Sequence, residues 1–277
     1  MPKRRITFPT GPAHITITTR GHTTGRITII VTNDPDAKPE AVFRGDRETL
    51  EDISVRDRGD NTINIEFPGN PNAAGNHISV GDVTINGGGF FGSVVGGVGN
   101  VFVSGNNHGA ISGNRIIING RDVTHLAEAP ALTHPVDATI TLPPGSSINT
   151  NTAGTEIHTQ GPLTSANVTT INADIHIDEA RSITARSISG DITILTIPAA
   201  GIVSAHTTSG DIHAETVLGM GNLRTVSGDL TVVTANPDGA LDLNTVSGDI
   251  TYGISTLDAV NRVRANTVSG RIRTHTR

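Results

Sequence analysis

Five aspartates recur at near-constant spacing: Asp174, Asp191, Asp211, Asp229 and Asp249, separated by 17, 20, 18 and 20 residues. The last four close a repeated phrase, written SISGD, TTSGD, TVSGD and TVSGD, and a further copy, TVSGR, ends at Arg271. If each interval is one coil of a stacked structure, the carboxylates form a line. Neighbours about 4.8 Å apart repel by roughly 1 kcal/mol in water, so such a line needs hydrogen bonds, cations or a bound metal. Calcium takes carboxylate and carbonyl oxygens. The G-G-x-G-x-D spacing of calcium-binding β-rolls is missing, and capping of turn amides accounts for the Ser and Asp equally well. Arg186 and Arg224, five residues before an aspartate, are candidate partners for the line.

Other residues share the same spacing. Numbered from the aspartate as position 0, His158, His176 and His213 fall at +2, beside Glu156 and Asp174. Imidazole with carboxylate suits zinc. Thr193, Thr231 and Thr251 fill the same column elsewhere, which favours solvent-facing side chains over ligands. The final unit carries Arg262, Arg264, Arg271, Arg273 and Arg277 with no acid after Asp258. Charge at an open strand edge deters end-to-end association, and the alternative is a docking surface for an acidic partner. No G-x-S-x-G, H-E-x-x-H or Walker A phrase occurs, and Lys3 and Lys38 are the only lysines. GGGFFG, Gly87–Gly92, has the form of a dinucleotide motif, yet SVVGGVGN after it is a poor helix for holding a pyrophosphate. The residues therefore assign no catalytic group, no metal and no cofactor.

The elements that must carry these residues follow from the repeat. Position 0 is Glu156, Asp174, Asp191, Asp211, Asp229, Asp249 and Arg271, giving units of 17–22 residues. At +1 stand Ile157, Ile175, Ile192, Ile212, Leu230, Ile250 and Ile272. Small apolar columns also recur at −3, −6 and −8. Short strands of this kind cannot bury an apolar face alone, but stacked in parallel they share a continuous core. The expected fold is all-β: a single-stranded parallel β-solenoid, β-helix or β-roll-like, preceded by a β-rich N-terminal region. The Ser-Gly-Asp phrase is the expected corner. Gly190, Gly210, Gly228, Gly248 and Gly270 would supply a backbone with positive φ, and Asp191, Asp211, Asp229 and Asp249 would hold the bend.

Three segments are expected. Residues 1–75 alternate in HITITTRG, GRITIIVTND and NTINIEFPGN, which reads as strands capping the solenoid, with DRETLED as the one helical turn. Residues 76–125 are a Gly-rich insertion, and 126–277 hold the repeats. The chain has 277 residues, no Cys, 3% aromatics and a net charge of −6. Those numbers exclude a disulfide framework and argue against base-stacking or phosphate-binding surfaces, so no nucleic-acid partner is expected. No apolar run could insert in a membrane, and none follows MPKRR as a signal peptide would require, so a cytoplasmic location is expected.

The T-V-S-G-D-I phrase, the preceding VDATITLPPGSSINTNTAG and the strand-rich start resemble the DUF4097 putative adhesin family, bacterial β-strand-repeat proteins with a β-helix-like fold. That resemblance implies a cell-surface or secreted location as the alternative. It also implies a non-enzymatic scaffold with an adhesin-like or interaction role, displaying an extended polar face to a protein or glycan. Two further readings are a cytoplasmic accessory or regulatory binding module and a polysaccharide-active β-helix enzyme. The second fits poorly with a chain holding one Tyr and no Trp for sugar stacking.

Overall fold

The structure, a computed structural model, describes residues 2–19, 24–68 and 135–276, and five short strands between 77 and 122. The chain divides into two compact units. The first comprises Met1–Thr19, Thr23–Pro68 and His134–Arg277; the second comprises Arg20–His22 and Gly69–Thr133. The first unit begins with β1 (Lys3–Thr7), β2 (His14–Thr19), β3 (Thr24–Val31), β4 (Glu40–Arg44), helix α1 (Arg47–Asp52), β5 (Ser54–Asp57) and β6 (Thr62–Phe67). In the second unit β7 (His77–Val80) pairs antiparallel with β8 (Val83–Asn86). There too β10 (Arg115–Ile118) pairs antiparallel with both β9 (Gly109–Ser112) and β11 (Arg121–Asp122).

From Asp137 the chain returns to the first unit and coils. The strands are β12 (Asp137–Leu142), β13 (Ser147–Asn151), β14 (Gly154–Gln160), β15 (Pro162–Thr169), β16 (Ile175–Arg186), β17 (Ile192–Ile197) and β18 (Ile202–His206). They continue with β19 (Ile212–Val217), β20 (Met220–Arg224), β21 (Leu230–Ala235), β22 (Leu241–Ser247), β23 (Ile250–Ile254), helix α2 (Leu257–Val260), β24 (Val263–Ser269) and β25 (Ile272–Thr276).

Pairing sorts these strands into two stacks. In stack A, β3, β14, the first half of β16, β17, β19, β21, β23 and β25 pair in parallel, each with its equivalent one coil away. Stack B does the same with β6, β2, β13, β15, the second half of β16, β18, β20, β22 and β24. The protein is thus a parallel β-solenoid with two strands per coil. Period-two alternation drives this arrangement, because each strand turns every second residue toward the opposite stack. At +1, Ile157, Ile175, Ile192, Ile212, Leu230 and Ile250 are buried. At −6 and −8, Val168, Ala185, Leu223 and Leu243 and then Ile148, Ala166, Ile183 and Leu241 meet them from stack B in a single core. Each large aliphatic buried in this way contributes roughly 1.5–3 kcal/mol of gross burial energy.

Stacking order departs from chain order at the N-terminal end. β3 pairs in parallel with both β12 and β14, so it lies between strands that follow it by more than a hundred residues. Antiparallel pairing then ends both stacks: β12 with β4 and β4 with β1 in stack A, β6 with β5 in stack B. Phe43 and Phe67, one from each stack, meet edge to face at 5.7 Å and 74°. DRETLED forms α1, whose N-cap Asp46 accepts from Thr49 N at 2.9 Å. Arg4 donates to the Leu50 and Ile53 carbonyls at its far end, at 3.0 and 2.6 Å.

One column differs from the sequence reading. Position −3 is apolar but faces solvent: Ile171 is 43% exposed, Ile188 51%, Val226 37%, Val246 42% and Val268 82%. The buried set resumes at −4, where Thr152, Thr170, Ser187, Thr207, Thr225 and Thr245 are the inward residues. Strand parity, which places −4, −6 and −8 on one side, decides the direction here, and residue type does not.

Candidate functional site

The corner between stack B and stack A is where the repeated phrase sits. At a bend the strand ladder lapses, and backbone donors and acceptors need other partners. Position 0 supplies one. Asp174 Oδ1 accepts from Asp191 N at 2.9 Å, and Asp191 Oδ1 from Asp211 N at 2.8 Å. Asp211 Oδ1 accepts from Asp229 N and Asp229 Oδ1 from Asp249 N, both at 2.7 Å, and Asp249 Oδ1 from Arg271 N at 2.8 Å. Every carboxylate in the line therefore caps the amide of the next coil. The threonine at −4 works in the reverse direction. Thr207 donates to the Gly190 carbonyl at 3.1 Å, Thr225 to Gly210 at 2.9 Å, Thr245 to Gly228 at 3.1 Å and Thr267 to Gly248 at 3.0 Å.

The corner glycines correct an expectation. None of Gly190, Gly210, Gly228, Gly248 and Gly270 has φ in the left-handed region. Their constraint is steric: a Cβ on any of them would collide with the backbone carbonyl of the preceding coil, as Gly228 would with Gly210 and Gly248 with Gly228.

The same column extends beyond the contiguous repeats. Asp137 and Arg26 occupy position 0 in the N-terminal coils, and Arg26 N donates to Asp137 Oδ1 at 3.1 Å. The Arg26 guanidinium reaches Glu156 at 2.8–2.9 Å. With Thr28, Arg44 and Thr139 these residues line an open groove of about 540 Å³. His158 lies 3.7 Å from Glu156 and stacks on His176, with centroids 5.5 Å apart and planes at 24°. Burial, then the charges of Arg26 and His176, hold the His158 imidazole below its usual pKa, while Glu156 opposes them. Stacked rings of this kind lie side by side instead of converging on a point, and the Glu156 carboxylate is engaged by Arg26. Among the described residues no three His, Asp or Glu side chains gather as a metal would require. His213 contacts Glu215 of its own strand at 3.3 Å.

Arg186 and Arg224 are exposed on the outer face of stack B, and among the described residues neither forms an ion pair with the aspartate line. The cation that does is Arg273, 3.1 Å from Asp249. Arg262 instead donates to the Pro237 carbonyl at 3.0 Å. Gly87–Gly92 and Arg277 lie outside the described residues.

The outer face of stack B carries polar columns along its whole length. One runs through Asn149, Asn167, Thr184, Ser204, Asn222 and Asp242 in unbroken register. Asn167 donates to Asn149 Oδ1 at 3.1 Å. Toward the N-terminal end this face carries a depression of about 210 Å³, lined by Thr16, Thr18, Ser54, Arg56, Arg58 and Asn64 among others.

A family model described as Toastrack DUF4097 matches residues 112–277. The chain belongs to the Toastrack DUF4097 family. No curated protein matches it. Solved structures that align with this Toastrack chain include a putative adhesin from Bacteroides fragilis NCTC 9343, at 12% identity over 100% of this chain and 97% of that one, TM-score 0.45. Another is a putative lipid binding protein from Parabacteroides distasonis ATCC 8503, at 11% identity over 100% and 96%, TM-score 0.40. A third is a putative adhesin from Parabacteroides merdae ATCC 43184, at 10% identity over 99% and 95%, TM-score 0.39. Among the described residues no helix is long and apolar enough to cross a membrane.

Two parts of the Toastrack corner escaped the sequence reading. The −4 threonines open each copy of TVSGD, but the column they form was not among those singled out. Arg26 is preceded by Thr-Thr-Gly and followed by Ile, which echoes T-V-S-G-R-I at Arg271 and was the available signal.

Proposed function

We propose that the protein is a non-enzymatic β-solenoid scaffold with an adhesin-like or interaction role, binding an extended protein or glycan segment along the outer face of stack B. The observation that supports this reading is the unbroken column from Asn149 to Asp242. Amide, hydroxyl and carboxylate groups at successive coils, about 4.8 Å apart, set donors and acceptors in a straight row along which an extended chain can lie. The parallel stack beneath holds them rigid, so little ordering entropy is lost on binding. In this reading the corner residues Gly190, Asp191, Gly210, Asp211, Gly228, Asp229, Gly248, Asp249 and Gly270 are structural, because their donors and acceptors serve neighbouring coils.

The test pairs glycan and protein arrays with a column variant, Asn149→Ala/Asn167→Ala/Thr184→Ala. Retained ligand that the variant loses, with no product released, supports the proposal. Release of a cleaved sugar would replace it with the enzyme reading. Cell fractionation with surface protease shaving addresses location: protein confined to the cytosol would sink adhesion as the task.

A further inference from the structure

The edge of the solenoid at the Ser-Gly-Asp corner has an order that the polar face does not explain. Along its crest runs the exposed apolar column Ile171, Ile188, Val226, Val246 and Val268, interrupted by Thr208. The crest is continuous through the backbone: Ser209 N donates to the Ile188 carbonyl, Ser227 N to Thr208 and Ser247 N to Val226. On the stack A side it is flanked by the aspartates of position 0, whose second carboxylate oxygens carry none of the capping bonds. On the stack B side, position −5 presents Arg186, His206 and Arg224 on three successive coils. The edge is therefore an apolar ridge with an acidic rail on one side and a basic stretch on the other.

We infer that this edge pairs with the same edge of a second copy of the chain, around a two-fold axis parallel to the solenoid. Three features select that occupant. First, the repeat of the partner must match. Another copy has the same coil spacing of about 4.8 Å and stays in step over the whole ridge, whereas a helix with a 5.4 Å pitch drifts by roughly 0.6 Å per coil. Second, an axis along the ridge turns one copy's acidic rail toward the other's basic stretch. At equal height, Arg186 faces Asp191 of the other copy, Arg224 faces Asp229 and His206 faces Asp211. Third, the competing two-fold, perpendicular to the ridge, sets aspartates against aspartates and is repelled. The parallel pairing is isologous, with position −3 meeting itself along the axis. Contact along a single ridge falls at the small end of interfaces, under about 1,200 Å², so the dimer is weak and concentration-dependent.

Sedimentation velocity over a wide concentration range, with the full chain, gives the first reading. Wild type should shift toward dimer as concentration rises, and less so in high salt. Ile188→Ser/Val226→Ser and Arg186→Glu/Arg224→Glu should each weaken the dimer about tenfold or more, with circular dichroism unchanged. The chain has no Cys, so single cysteines report geometry cleanly. Under mild oxidation Val226→Cys should give a disulfide-linked homodimer, and Ile202→Cys, 55% exposed but away from this edge, should not. A chain that remains monomeric throughout overturns the inference and leaves the ridge to a different partner. Equal cross-linking of both cysteine variants, or no effect of the arginine substitutions, also overturns it. The column from Asn149 to Asp242 takes no part in this contact, so either result leaves the display proposal to its own test.

Discussion

Replacing Asp211 separates the two things its carboxylate does. Its Oδ1 caps Asp229 N at 2.7 Å, and its own amide is capped by Asp191 at 2.8 Å. Its charge meets two like neighbours in the line, each costing roughly 1 kcal/mol at about 4.8 Å in water. Asp211→Asn keeps a carbonyl acceptor and removes the charge. Relief of repulsion, up to about 2 kcal/mol, is set against the loss of about 1 kcal/mol when a charged hydrogen bond becomes neutral. The variant should equal or exceed wild type at low salt, and its advantage should vanish at high salt. Asp211→Ala gains the same relief but leaves the Asp229 amide uncapped, so it should fall below Asp211→Asn by about 0.5–1.5 kcal/mol. Urea unfolding in about 0.01 M and about 1 M salt, where the screening length drops from roughly 30 Å to 3 Å, reads both differences. Hydrogen exchange at the Asp229 amide should quicken in the Ala variant alone. Equal stability of the Asn and Ala variants would refute the capping argument. If calcium stabilised wild type and not Asp211→Asn, the line would be a cation site instead.

Gly228→Ala places a Cβ against the Gly210 backbone, which has no side chain to move aside, and should cost about 1–3 kcal/mol or more in urea unfolding. Ser227→Ala beside it, at an exposed position, should stay within about 0.5 kcal/mol. Thr150 is buried between Ile17 and Val168 with no partner for Oγ1 among the described residues, so Thr150→Val should raise stability by about 1 kcal/mol. The depressed His158 pKa means that the unfolded chain takes up a proton first as pH falls. Stability should decline as pH drops from about 6.5 through the lowered native value and then level off. His158→Thr should flatten that part of the urea midpoint against pH, and an unchanged slope would show that another group causes it.

The solenoid was legible because its inward columns are simple. Ile or Leu at +1 in every unit needs only burial against a facing stack, and no competing principle intervenes. The corner was legible in place but not in mechanism. Glycine there suggested unusual torsion angles, whereas the requirement comes from the preceding coil's carbonyl, a contact between residues about 20 apart that no local reading contains. The −3 column was read by residue type, and type misleads where the chain bends. Valine at −3 is left outside because strand parity places −4, −6 and −8 inward, and threonine at −4 is tolerated inside because its hydroxyl bonds to a glycine carbonyl of the preceding coil. Arg26 and Asp137 were missed for another reason. Their coils are built from segments distant in sequence, so no fixed spacing links them to the repeats.

Comparison of coils within the one chain shows which positions the fold holds. Positions −4, −1, 0 and +1 keep their types from Ser187 to Arg271 with few exceptions, and each either bonds to a neighbouring coil, packs against its backbone or fills the core. Changing any of them disturbs two coils at once. Positions −7, −5 and +2 point outward and bond little across coils, and there the chain varies freely among Asn, Asp, Thr, Ser, His and Arg. The repeated phrase is therefore what makes the variable columns possible. A corner that closes identically at each turn fixes the height and direction of every outward side chain, whatever that side chain is. Recognition written on such a protein has to be sought in the columns that differ from coil to coil, and the phrase that first draws the eye is the frame that holds them.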